Sequence, residues 1–261
     1  MRSITSGLLA AAVAAAAPLS AHAIDWTIGA GAGVAPDYEG SDDYEAVPLW
    51  NLRAQNLYHP ATYVDITGLK LSSNFLPHDN FRLGISGEYA MKRSDVDDDS
   101  VDSLGSTDDG LMLGIMGGYD INVTPDGVLG FELDGRFDPK GDVGSLLTAR
   151  VKFRSPIDSA KKWIANARAE STFASDDYME NYFGIDAADL GGSNLTAFDA
   201  DAGFKDVTLA AGITYQFTQN WSVSALASYK RLVEDAEDSP VTDDAGDADQ
   251  LFAGILASFR F

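Results

Sequence analysis

From Asp79 onward the chain alternates apolar and polar residues in runs of ten to fifteen. Phe81, Leu83, Ile85, Tyr89 and Met91 oppose Arg82, Ser86, Glu88 and Lys92. Leu111, Leu113, Ile115, Tyr119 and Ile121 oppose mainly Gly, Met, Asp and Asn, and Leu129, Phe131, Leu133 and Phe137 oppose Glu132, Asp134, Arg136 and Asp138. Similar two-residue periods run through 147–154, 163–170, 207–217 and 221–230. One such run fits a half-buried strand in any sheet. Seven in succession, with aromatics towards the ends of the apolar face, predict strands of a barrel with lipid outside and a polar interior. The last twelve residues, Gln250 to Phe261, put Leu251, Ala253, Ile255, Ala257, Phe259 and Phe261 on one face. Their length suits a tilted transmembrane strand of roughly 9–11 residues. An apolar strand left unpaired at a sheet edge invites aggregation, so it is expected to pair with the first strand and close the sheet. The predicted fold is all-β: an antiparallel transmembrane β-barrel.

The connections alternate too. Asn122–Gly127, Ser155–Ala160 and Thr218–Asn220 are short and rich in Pro, Gly, Asn and Asp, as tight turns require. Between them lie long segments, Arg93–Asp109, Asp176–Asp201 and Glu234–Asp249. Short turns on one rim and long loops on the other match periplasmic turns and extracellular loops. Ile24–Ala35 rises, Glu45–Gln55 descends and Phe81–Lys92 must rise again. Ala61–Phe75 then supplies two short strands turning near Thr67-Gly68, twelve in all, or none, which leaves ten.

Charge sharpens this picture. Of 40 Asp and Glu, 27 lie in those three long loops and in the first one, Pro36–Glu45, with Arg93 as the one basic residue among them. A formal charge of −22 excludes binding to nucleic acid through phosphates. There is no cysteine, so stability must come from something other than disulfides, which a closed hydrogen-bonded barrel could supply. Met1-Arg2, an apolar run from Gly7 to Leu19 and Ala21-His22-Ala23 predict a secretory signal peptide over 1–23, cleaved after Ala23. Residues 24–261 then form a single barrel domain in the outer membrane.

Candidate chemistry is sparse. His59 and His78 both fall in predicted periplasmic turns, away from the long loops, so a structural turn role is expected and no catalytic residue is assigned. Asp95-x-Asp97-x-Asp99 begins like a calcium loop, but Ser100 and Ser106 stand where Gly and Glu are required. No metal site or cofactor is expected: the acidic loops read first as a solvated surface, with loose binding of a hard divalent cation as the alternative. On the inward faces, Glu132, Asp134 and Arg136 lie across a hairpin from Arg150, Lys152 and Arg154, with Arg168 and Glu170 next along the wall. These predict a lumen charge network that includes a Glu132–Arg150 pair; a conducting pore is the functional alternative.

Three stretches carry a resemblance that extends over essentially the whole mature chain. They are Gly29–Asp42 (GAGAGVAPDYEGSD), Asn181–Ile185 (NYFGI) and Ala202–Val207 (AGFKDV). In this order they resemble the MltA-interacting protein family, MipA/OmpV. The matching motif residues are Pro36, Asp37, Tyr38, Glu39 and Gly40; Tyr182, Phe183 and Gly184; and Gly203, Phe204, Lys205 and Asp206. The resemblance implies an outer-membrane barrel. For the founding member it implies a scaffold between a murein lytic transglycosylase and a murein synthase; other members are porin-like or adhesins. The terminal Phe259 and Phe261 likewise resemble the signal read by the barrel assembly machinery. Expected partners are therefore outer-membrane lipid, that machinery and periplasmic murein enzymes.

Overall fold

The computed structural model describes residues 23–261. The expected signal peptide, save Ala23, lies outside the described residues. Twelve antiparallel strands close into a barrel in chain order, with β12 pairing back onto β1. They are β1 (Asp25–Pro36), β2 (Tyr44–Gln55), β3 (Tyr63–Thr67), β4 (Lys70–Asn74), β5 (Phe81–Ala90), β6 (Gly110–Asn122), β7 (Val128–Phe137), β8 (Ser145–Pro156), β9 (Trp163–Ala174), β10 (Gly203–Gln216), β11 (Trp221–Leu232) and β12 (Asp249–Arg260). The outer loops carry α1 (Asp99–Asp102), α2 (Asp176–Phe183), α3 (Asp235–Asp238) and α4 (Pro240–Asp243). The twelve-strand expectation holds, with the short hairpin at β3–β4. The long loop after β9 contains a helix that the alternation did not reveal.

Register follows from which face must meet lipid, since a slip of one residue would turn every side chain over. Ile115, Leu133, Leu209 and Ile255 point outward and are 66%, 59%, 55% and 61% exposed. Aromatics ring the inner end of this belt, with Phe81 packed on Tyr119, Trp163 on Tyr215 and Trp221 on Phe259 at centroid distances of 4.7, 4.6 and 4.9 Å. Such belts sit at the membrane–water boundary, where the rings suit both phases.

On the first strand the inward positions are Gly29, Gly31 and Gly33. A Cβ on Gly31 would lie 1.9 Å from the Ile255 carbonyl oxygen of β12. The side chains of Leu256 and Phe252 take up the space over Gly29 and Gly33. The glycines thus permit the close approach at the seam where the first and last strands meet.

Two strands are short. β3 and β4 have 5 residues each, whereas the other ten have 10 to 14. Pairing of β2 with β3 begins only at Asn51↔Thr67. Residues 44–50 of β2 therefore have β1 on one side and no strand on the other.

Candidate functional site

The lumen and the loops above it hold nearly all the charged chemistry. Strands β4 to β9 present a continuous ionic ladder on their inner faces. Glu132 on β7 is 5% exposed and accepts from Arg82 Nη1 (2.5 Å), Arg150 Nη1 (2.9 Å) and Lys152 Nζ (2.6 Å). Arg150 also reaches Asp134 at 3.3 Å and Glu170 at 2.6 Å. Arg82 forms an ion pair with Asp120 at 3.0 Å and Lys70 with Glu88 at 2.9 Å, and Arg136 pairs with Glu88 and Asp134. Arg168 touches Glu170 at 3.4 Å. Register places Glu132 directly opposite Arg150, Asp134 opposite Thr148 and Arg136 opposite Leu146. Arg154 forms no ion pair among the described residues. The sequence reading missed Arg82, Glu88, Asp120 and Lys70 as members, although alternation put Arg82 and Glu88 on the inner face. A 19-residue connection separates β5 from β6, so their register could not be counted.

The family motifs meet at the outer mouth. Glu39, in the β1–β2 loop, accepts from Lys205 Nζ (2.5 Å), Lys230 Nζ (2.6 Å) and Tyr178 Oη (3.3 Å). Lys205 also contacts Asp206 at 2.7 Å. Burial opposes the charge on Glu39, but Lys205 and then Lys230 outweigh it and hold the carboxyl well below the usual carboxylate range. Tyr38 donates to the Ala245 carbonyl at 3.2 Å, and burial followed by the nearby Asp98 pushes its phenol up to about 12. Gly40 has a φ of +106°, a conformation costly for any residue with a Cβ, and its carbonyl accepts from Asp247 N–H at 2.8 Å. Tyr178 and Lys230 were not singled out from the sequence; both lie outside the three motifs.

A hydrophobic cap closes over these contacts. Helix α2 is capped by Ser175, whose hydroxyl accepts from Tyr178 N–H, and its apolar side buries Tyr178, Met179, Tyr182 and Phe183. They pack with Met112, Leu146, Leu232 and Ala236. Phe183 is fully buried, and its carbonyl accepts from Ser239 Oγ at 2.6 Å. Tyr182 donates to Met91 O at 3.2 Å, and its own carbonyl accepts from Arg93 Nη1 at 2.9 Å. Gly184 N–H closes the helix on Met179 and Glu180 carbonyls. Gly203 leaves room for Glu234, which accepts from Phe204 N–H at 2.8 Å. Phe204 itself points outward against Phe173.

Below the cap is a cavity of about 1020 Å³, and a smaller vestibule of about 360 Å³ opens near the inner rim. His59 and His78 lie in inner turns, where Nδ1 of each accepts backbone N–H groups, from Ala61 (3.2 Å) and from Asn80 and Phe81 (both 3.1 Å) respectively.

A family model described as MltA-interacting protein MipA matches residues 28–261. The chain belongs to the MipA family. None of the curated proteins matches it. Among solved structures, this MipA-family barrel is similar to an outer membrane channel from Pseudomonas putida F1, with a TM-score of 0.51, 10% identity, and coverage of 94% of this chain and 97% of that one. It is also similar to the NanC porin (TM-score 0.46, 11% identity, 91% and 99% covered) and to the translocator domain of the autotransporter NalP from Neisseria meningitidis (TM-score 0.46, 12% identity, 93% and 90% covered). At these identities the likeness to the Pseudomonas channel shows the fold alone. Family and fold together place the chain in the bacterial outer membrane.

Proposed function

We propose that this MipA-family barrel performs no chemistry of its own and serves as an outer-membrane anchor for a murein-processing enzyme at its inner rim. One observation carries the non-catalytic reading. The two histidines of the described chain use Nδ1 to fix turns on the rim opposite the cavity. The carboxylates of the ionic ladder are matched to cations in structural pairs, so neither group is poised as a free general base. The family description, an MltA-interacting protein, supports a lytic transglycosylase as partner, and a murein synthase is the second partner in this reading. Docking would fall on the turns around His59, His78 and Pro125. In the same proposal, residues 1–23 direct export and are removed, and Phe259 and Phe261 serve barrel assembly.

A second reading, a small channel, is favoured by the hollow lumen: the side chains of Lys70, Arg168 and Lys152 point inward yet stay 62%, 43% and 38% exposed. Folded protein, verified by its heat-modifiable gel mobility, is incubated with periplasmic extract and, separately, inserted in a planar bilayer. Retention of a lytic transglycosylase with no conductance step is the expected result. Stable conductance with nothing retained would overturn the anchor in favour of the channel.

A further inference from the structure

The unpaired stretch of β2 forms one jamb of an opening in the barrel wall. Trp50 O accepts from Gly68 N–H and Asn56 N–H donates to Thr62 O, so the even-numbered residues of β2 turn their backbone groups towards β3. Above Trp50 those groups belong to Pro48 and Ala46, and no strand meets them. Pro48 lacks the N–H that would otherwise be stranded there, as befits an edge. The sill is the β3–β4 turn, where Leu69 O accepts from Tyr89 N–H at 3.0 Å. The opposite jamb is the end of β5. The lintel is the segment after β5, which crosses to the first loop, where Asp97 N–H donates to Asp37 at 3.1 Å and Arg93 lies 5.8 Å from the Tyr38 ring. Six residues of β2, Tyr44 to Leu49, border the gap, about 20 Å of strand.

This opening reaches the lumen. Trp50, Leu69, Tyr89 and Met91 point to the lipid side and are 42%, 46%, 42% and 63% exposed, yet they line the same cavity as Arg150, Arg168 and Lys205. The level matters. The gap lies in the outer half of the wall, between the sill, where Tyr89 is bonded, and the height of Tyr44, so it faces the outer leaflet. Open backbone edges are not tolerated against hydrocarbon unless they line a cavity.

The cavity is two-sided. One wall is apolar, where Leu49, Phe252, Leu256 and Leu226 cover the small inner faces of Gly29, Gly33, Gly212 and Gly254. The other wall is the ionic ladder. Eight basic and seven acidic residues line the whole cavity, a net of +1 in a chain of −22. Lys70 and Arg168 are its most exposed cations among those in ion pairs, each held by a single glutamate, Glu88 and Glu170.

We infer that the gap between β2 and β5 is a lateral port for a single-chain carboxylate amphiphile of the fatty-acid class. Its headgroup sits in the lumen beside Lys70 and Arg168, where a carboxylate replaces or joins a like group. Its chain lies along Leu49, Phe252 and Leu256 and leaves past Trp50 into the outer leaflet. The volume suits one small ligand, and the cap of α2 blocks the straight route upward.

The test uses the folded mature protein in lipid nanodiscs with 11-(dansylamino)undecanoate as the fluorescent probe. Dodecanoate should displace it saturably, with dodecanol and butyrate each at least about tenfold weaker, the equivalent of one lost charged or apolar contact. Lys70→Gln combined with Arg168→Gln should weaken dodecanoate to the level of dodecanol and leave dodecanol unchanged. Leu49→Asp should weaken all three chain-bearing ligands, with heat-modifiable mobility confirming the fold of every variant. Equal displacement by dodecanol and dodecanoate, or no response to the double variant, would sink the proposal. The route is read separately with 12-bromododecanoate: saturable quenching of tryptophan fluorescence that Trp50→Phe removes supports a port, and quenching that only rises linearly overturns it. Trp26, Trp163 and Trp221 start β1, β9 and β11 at the inner rim, so they report on the other end of the barrel.

Discussion

Glu39 joins the first loop to two strands that begin or end far from it in sequence. It is the shared acceptor of Lys205 and Lys230, and Lys205 is only 3% exposed. Removing the carboxylate leaves Lys205 with Asp206 alone, which should cost about 2–3 kcal/mol, the scale for a charged hydrogen bond in a largely buried setting. Glu39→Ala should lower the urea midpoint accordingly, and a change within 0.5 kcal/mol (the range for ordinary surface substitutions) would show that Asp206 suffices. The same residue sets a pH dependence. Its pKa is depressed in the fold, so its contribution is fully present above the unfolded value, roughly 4.3, and is lost as pH falls below it. The protection factors of the α2 amides, which discount the intrinsic pH dependence of exchange, should therefore fall on acidification below about pH 4 in the native protein. In Glu39→Gln protection should already be reduced at neutral pH and should respond less to acid.

At the level of elements, the ladder and the seam make opposite demands on side-chain size and charge. Glu132→Ala leaves Lys152 without a carboxylate partner and removes one from Arg82 and from Arg150, which keep Asp120 and the Asp134–Glu170 pair of acceptors, and breaking a buried pair costs about 3–5 kcal/mol. Its urea midpoint should fall further than that of Lys152→Ala, whose side chain is 38% exposed. At the seam, Gly31→Ala drives a methyl into the backbone of Ile255, whereas at Gly117 a Cβ would come no closer than 4.0 Å to the Arg82 carbonyl oxygen. The folded, heat-modifiable fraction should drop for Gly31→Ala and hold for Gly117→Ala. Strand number, inward faces and the Glu132–Arg150 pairing were legible because a period of two repeats over ten residues and short turns fix the register. The window was not, because it depends on where β3 and β4 stop relative to β2, and Ala61–Phe75 has too few residues for periodicity to mark its ends. Nor was helix α2, whose apolar residues Tyr178, Met179, Tyr182 and Phe183 sit at helical spacing inside a segment that otherwise reads as an acidic loop. The motif residues Glu39 and Lys205 lie 166 positions apart, and their contact needs the closed barrel to bring the two loops together.

For the whole molecule, the governing feature is the separation of charge by location. Acid gathers on the outer loops, while much of the base lines the lumen and offsets the acid there. A small anion approaching along the barrel axis first meets the repulsion of that rim. Salt screens exposed charges over a Debye length of about 8 Å at physiological ionic strength, but acts far less on groups inside the wall. Axial access for anions should therefore quicken as ionic strength rises. A carboxylate delivered sideways from the bilayer never crosses the acidic rim, so its rate of arrival should stay nearly flat with salt. A carboxylate whose arrival ignores the salinity of the medium would thereby be marked as coming from the bilayer, and one whose arrival quickens with salt as coming past the rim.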